Sequence, residues 1–131
     1  DAAASLLGKH HFVVMGGTTP GHTTDAVAVE FAIKADAGQC IIATNVSHVY
    51  DKDPRTNADA SRLSQLTLAE LGEICGLGKP RQAGASAVVD PVAVEWAIEA
   101  SLAMCVLDGR DIDLLGAAIE GREFTGTNIT V

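Results

Sequence analysis

The side chains best suited to chemistry gather in two stretches, Met15-Gly-Gly-Thr-Thr-Pro-Gly-His-Thr-Thr-Asp25 and Thr44-Asn45-Val46 followed by Tyr50 and Asp53-Pro54. The first holds three glycines, four threonines and a histidine, and it opens a helix at Asp25. Glycine lets backbone N–H groups approach a bound group closely, and a helix amino end adds its positive dipole. The expected guest is an anion, and nucleotide phosphate suits it best. Each stretch follows an apolar run, Phe12-Val13-Val14-Met15 and Cys40-Ile41-Ile42-Ala43. Both loops are therefore predicted to lie at the carboxyl ends of strands, where open α/β sheets gather their ligands.

The elements that must position these loops follow from the same patterning. A short helical segment over residues 2–7 precedes a first strand at 12–15. A largely buried helix over 25–35 pairs Val27 with Phe31 and Val29 with Ile33, and Asp25 serves as its N-cap or first-turn acid. A second strand at 39–44 completes a βαβ unit with a right-handed crossover. Residues 45–62 form a long polar connection, a length that marks function or disorder inside a compact domain; Val49 and Tyr50 favour function. Thr67-Leu-Ala-Glu70 is a capping box for a short helix ending at Gly76. Residues 76–89 read as a mobile loop carrying Lys79 and Arg81. Asp90-Pro91 opens a helix to about Ser101, 102–107 is a buried strand, Asp111 caps a last helix closing near Gly121, and 127–131 is a final strand.

The chain has 131 residues, 47% of them hydrophobic, which suits one domain with a real core. One Trp, one Tyr and three Phe leave that core to Ala, Val, Ile and Leu, a composition typical of strands covered on both faces. The net charge of −8, from 17 acidic and nine basic residues, argues against a nucleic acid polymer as partner. Cys40, Cys75 and Cys105 lack Cys-x-x-Cys spacing, so Cys40 and Cys105 read as small core hydrophobes in a reducing, cytoplasmic setting. No apolar run reaches the ~18 residues of a membrane span. His10, His11 and His48 show no metal spacing and read as surface residues, and no metal ligands are assigned.

The strings GGTTPGHTTDAVA, TNVSHVYDKDP, QAGASAVVDP and GTNITV resemble, in this order and along essentially the whole chain, the second half of an archaeal-type uridylate (UMP) kinase of the amino-acid kinase superfamily. The resemblance implies an α/β three-layer sandwich with the mostly parallel sheet of the amino-acid kinase (carbamate kinase-like) fold, its amino-terminal part absent. The family begins with a strand, a Gly-Gly-Ser loop and a phosphate-binding lysine, then a second glycine-rich loop with an arginine. None of these is present, and the chain starts at Asp1. The 131 residues are thus expected to be one nucleotide-binding, carboxyl-terminal part, inactive alone.

The resemblance also implies roles. Thr18, Thr19, Pro20, Gly21, His22, Thr23 and Thr24 match positions that contact UMP. Asp25 matches the acid that organises the catalytic lysine and the metal-bound phosphates. Thr44, Asn45, Tyr50 and Asp53 match the ATP-binding positions. The implied reaction transfers the γ-phosphoryl group of MgATP to UMP, giving UDP for pyrimidine nucleotide synthesis, and the implied assembly is a hexamer often inhibited by UTP. The acceptor is already a phosphate anion, so the absence of a catalytic histidine is consistent with the chemistry. Ser47-His48 stands where the family usually has Asp-Gly, and Gln82 where it places a lysine before Ala-Gly; Lys79 and Arg81 are read as a solvated pair outside the site. A sister kinase acting on a carboxylate, carbamate or isoprenoid phosphate, a non-catalytic nucleotide-storage relative, and an inert folded half are the rival readings.

Overall fold

The structure is a computed structural model describing residues 2–80 and 88–131; the part of the expected mobile loop that carries Arg81 and Gln82 lies outside them. In chain order the elements are α1 (Ala2–Leu6), α2 (Thr24–Lys34), β1 (Cys40–Thr44), β2 (Val49–Tyr50), β3 (Arg62–Leu63), β4 (Gln65–Thr67), α3 (Leu68–Ile74), α4 (Pro91–Ala100), β5 (Met104–Asp108), α5 (Ile112–Ile119) and β6 (Thr127–Thr130). Four strands form one sheet in the order β1-β5-β6-β4. β1 and β5 are parallel, as are β4 and β6, while β5 and β6 run antiparallel. The fold is α/β with a mostly parallel sheet, as expected.

Alternation along the strands sends side chains to two layers. Cys40, Ile42, Met104, Val106, Leu66 and Ile129 join Val29, Leu71, Ala93, Val94 and Ala97 in the larger core, beneath α2, α3 and α4. Ile41, Cys105 and Leu107 face the other way and meet Leu115 and Ala118 of α5, with Phe124. Local signals end the helices where the sequence says. The Thr67–Glu70 capping box is formed, and α3 closes in a Schellman arrangement with Gly76 at φ 74° and Leu77 N–H donating to Gly72 O at 2.9 Å. Asp90 caps α4 with Pro91 in its first turn, and Asp111 caps α5.

Three expectations fail. Residues 12–15 form no strand: Phe12 and Val14 are 89% and 95% exposed. An apolar run becomes a strand only where a neighbouring strand takes its N–H and C=O groups, and β1, at the end of the sheet, is paired only to β5 among the described residues. The βαβ unit therefore lacks its first strand, and with it the predicted crossover. α2 buries Ala26, Val27, Val29 and Ala32, but Ile33 is exposed, so it is half-buried rather than largely so. His48 is buried rather than on the surface, its Nδ1 2.9 Å from Ser47 Oγ; burial, helped by the charge of Arg62, lowers its pKa.

The long connection is no featureless loop. β2 and β3 pair antiparallel within it, Val49 opposite Leu63 and Tyr50 opposite Arg62. Thr127 of β6, fully buried, fastens this ribbon to the main sheet: its hydroxyl accepts from Val49 N–H at 2.8 Å and donates to Leu63 O. Ser47-His48 turns without positive φ, since Asp36 and Ser101 are the only non-glycine residues with positive φ among those described.

Candidate functional site

The glycine-rich loop runs exposed from Gly16 to Thr24. Within it Thr19-Pro20-Gly21-His22 forms a turn, with His22 N–H donating to Thr19 O at 3.1 Å and Gly21 at φ 94°. Proline second and glycine third, the latter with positive φ, match a type II turn. Thr23 caps α2 by accepting from Ala26 N–H at 3.2 Å, so Asp25 is a first-turn acid and not the cap. The His22 ring meets the edge of Trp96 on α4, centroids 5.6 Å apart at 78°. Thr18 and Thr24 make no contact with the second stretch that the structure records as a hydrogen bond.

Asp25 is half-buried. Burial pushes its carboxyl above the usual carboxylate value; the bond it accepts from Asp90 N–H at 3.1 Å opposes this, and the negative charge of Asp90 adds to it.

The later part of the second stretch, from Tyr50 to Pro54, borders a cavity of about 610 Å³ whose walls also include Glu73, Cys75, Lys79 and Asp90. The Tyr50 hydroxyl accepts from Arg62 Nε at 3.3 Å. Asp53 takes Arg55 on both oxygens, from the backbone N–H at 2.9 Å, Nε at 3.2 Å and Nη2 at 3.0 Å, and these bonds hold its carboxyl below its ordinary range. Thr44 and Asn45 do not line this cavity. They sit beside the turn after β5, where Gly109 N–H donates to Thr44 O at 2.8 Å and Arg110 Nη2 to Asn45 O at 3.2 Å. Arg110 in turn grips Asp108 and holds that carboxyl down to about 2. A Cβ at Gly109 would lie 2.9 Å from Ala43 Cβ, so glycine is what lets this turn reach β1.

The structure thus brings Tyr50 and Asp53 into one cavity, gathers Thr23 and Asp25 around Asp90, and leaves Thr44 and Asn45 in a third group. Sequence reasoning missed Asp90 as more than a cap, and Arg110 and Trp96 altogether. The Asp90-Pro91 signal was visible, but a cap signal does not reveal what else its carboxylate touches. Among the described residues no group of three or more His, Cys, Asp or Glu could hold a metal ion.

A glycine-rich loop running into a helix, set beside an α/β sheet with a cavity, is the arrangement of phosphate-binding α/β proteins. The chain belongs to the amino acid kinase family, whose sequence profile matches residues 1–108. It is 45% identical over 113 residues to the uridylate kinase of Methanococcus aeolicus, covering 86% of this chain and 50% of that protein. The uridylate kinase of Halorubrum lacusprofundi is 41% identical over 98% of this chain and 53% of its own length. The crystal structure of uridylate kinase from Archaeoglobus fulgidus superposes with a TM-score of 0.83 at 34% identity, covering 98% of this chain and 56% of that one. The chain spans about half the length of these relatives.

Proposed function

We propose that this chain is the nucleotide-handling, carboxyl-terminal part of a uridylate kinase, which transfers the γ-phosphoryl group of MgATP to UMP to give UDP. The observation that carries the reading is the convergence of Tyr50 and Asp53 on one cavity, in a chain 41–45% identical to proteins named uridylate kinase. Tyr50 offers a ring for the adenine, and Asp53 oxygens can accept from a ribose hydroxyl in place of, or beside, Arg55. The turn at 19–22 and the start of α2 present N–H and hydroxyl groups to the acceptor, reading uracil and phosphate without formal charge. Thr44 and Asn45, set by Gly109 and Arg110 outside that cavity, are assigned to the donor side by the resemblance alone. Phosphoryl transfer to a phosphate needs alignment and charge cancellation more than a base, and Asp25 organises the charge.

Mg²⁺ fits as a passenger of ATP. Such ions are commonly held by substrate phosphates, water and one or two carboxylates, and Asp25 at the start of α2 would be one carboxylate of the proposed site able to act through the ion. The ion supplies neutralisation of phosphate charge. Among the described residues no helix is long and apolar enough to cross a membrane; a cytoplasmic, hexameric enzyme inhibited by UTP completes the reading.

The test compares donor and acceptor sides. In an intact kinase that also carries the amino-terminal half, Tyr50→Ala and Asp53→Ala should raise KM for ATP and leave KM for UMP nearly unchanged. A loss shared equally by both substrates means that the β2–β3 ribbon has collapsed and the assignment goes. Offered side by side with CMP, AMP and aspartate, UMP should be preferred in kcat/KM by at least about a hundredfold over aspartate, since groups built to pair with one acceptor are left unpaired by another. Preference for a carboxylate acceptor would make the protein a sister kinase.

A further inference from the structure

The amino ends of α2 and α4 are joined by a single residue. Asp90 Oδ1 accepts from Val92 N–H at 3.0 Å and caps its own helix. Asp90 Oδ2 accepts from the hydroxyl of Thr23, the cap of α2. Asp90 N–H donates to Asp25 Oδ2 at 3.1 Å. The same residue, with Val89 and Pro91, lines the 610 Å³ cavity that holds Tyr50 and Asp53.

These bonds make different demands. The bond to Asp25 needs only backbone, and the cap needs one acceptor oxygen, which Ser, Thr or Asn supplies about as well. The strut to Thr23 needs a second polar atom on the same side chain. A carboxylate meets both side-chain demands at once, and an amide can do so by turning its NH2 to the Thr23 oxygen, whereas a serine has a single short hydroxyl and serves the cap alone. Behind the joint, Val29, Ala32, Ala93, Val94 and Ala97 are all buried where α2 and α4 lie together. Close-packed helices shift as bodies rather than deform, so a displacement at one amino end is carried to the other.

We propose that Asp90 is a positioning residue linking the acceptor loop to the donor cavity, so that the two nucleotides bind interdependently. The proposal rests on the uridylate kinase reading. A nucleotide filling the cavity bears on the Val89–Pro91 turn; through Asp90 this sets the Asp25 carboxylate and the Thr23 hydroxyl. Linkage makes the effect mutual: whatever factor ATP imposes on UMP affinity, UMP imposes on ATP affinity.

Trp96, the sole tryptophan, lies on α4 against His22, so its emission reports the acceptor loop. UMP is titrated with and without a saturating non-hydrolysable ATP analogue. In the unmodified protein the analogue should change the UMP Kd by about fivefold or more, the low end of ordinary coupling. Asp90→Ser keeps a capping oxygen but has no second polar atom for Thr23, and should bring the ratio to within about twofold of one, whatever happens to each separate Kd. Thr23→Ser, which keeps the hydroxyl, should preserve the ratio. An unchanged ratio in Asp90→Ser, or no coupling in the unmodified protein while both nucleotides bind, overturns the proposal. Failure of the underlying reading looks different: neither nucleotide shifts the emission. The strut is then decided without ligand by a thermal-unfolding cycle of Thr23→Val and Asp90→Ser, in which additive losses overturn it and non-additive losses sustain it.

Discussion

Two apolar runs, residues 12–15 and 40–43, look alike in sequence, each followed by a loop of candidate ligand-binding residues. Their fates differ. β1 is paired to β5, covered by α2 on one face and α5 on the other, and its following loop is pinned by Gly109, Arg110 and, through the ribbon, Thr127. Residues 12–15 have no strand partner among the described residues and hold Phe12 and Val14 out to solvent. Apolar character proposes a strand; a neighbour with free N–H and C=O groups makes one. The loop after the second run is built by contacts, whereas the loop after the first is held at its far end alone, by Thr23 and His22.

The contrast can be broken most forcefully in β1. Ile42, 5% exposed in the larger core, should cost about 2–5 kcal/mol as Ile42→Ala in denaturant unfolding. A loss below ~1 kcal/mol would mean that β1 is no better packed than the first run.

Next in size is the fastening of the second loop. Thr127→Val keeps shape but strands Val49 N–H in a buried position, a loss of about 1–3 kcal/mol. On the proposed reading, KM for ATP in an intact kinase should rise more than KM for UMP, because the ribbon carries Tyr50. Equal changes would show that Thr127 matters to stability alone.

Asp25 reverses the usual sign. Its folded carboxyl lies above its ordinary value, chiefly through burial, so its contribution to stability is full below the unfolded pKa and is lost as pH rises through the folded one. At neutral pH the ionised form is a net cost. Asp25→Asn should leave the melting temperature unchanged or higher and, on the proposed reading, should lower kcat and kcat/KM together in an intact kinase. A lower melting temperature with intact turnover would make Asp25 structural.

Smallest is Val14→Ala, expected within about 0.5 kcal/mol of no change. A loss approaching that of Ile42→Ala would show residues 12–15 covered in solution, and the two runs equivalent after all.

Much of this molecule was legible beforehand because its signals are local. Thr67–Glu70, Asp90-Pro91 and Asp111 name their helix starts within four residues of chain, and the buried strands at 40–44 and 104–108 show in their apolar runs. What could not be read depends on distant residues. Nothing near Phe12 says whether another strand will lie beside it. His48 looked like a surface residue because its burial depends on residues far along the chain; Arg62, whose charge reaches it, lies 14 positions away. The candidate site divides the same way: Tyr50 and Asp53 were visible as a motif, but their meeting with Glu73, Cys75 and Asp90 around one cavity is a product of packing. The link from Asp90 to Thr23 spans 67 positions and leaves no trace in either local string.

The three thiols carry one more consequence. Cys40 and Cys105 are buried, Cys75 is half-buried, and burial pushes each up to about 11. Only the thiolate attacks an alkylating reagent, and at pH 8 only about one thiol in a thousand is in that form. Labelling of the buried Cys40 and Cys105 must therefore wait for the chain to open, while Cys75, at the cavity wall, is slowed but reachable. The rates of modification at Cys40 and Cys105 become two stopwatches, on β1 and β5, each timing the opening of its own neighbourhood.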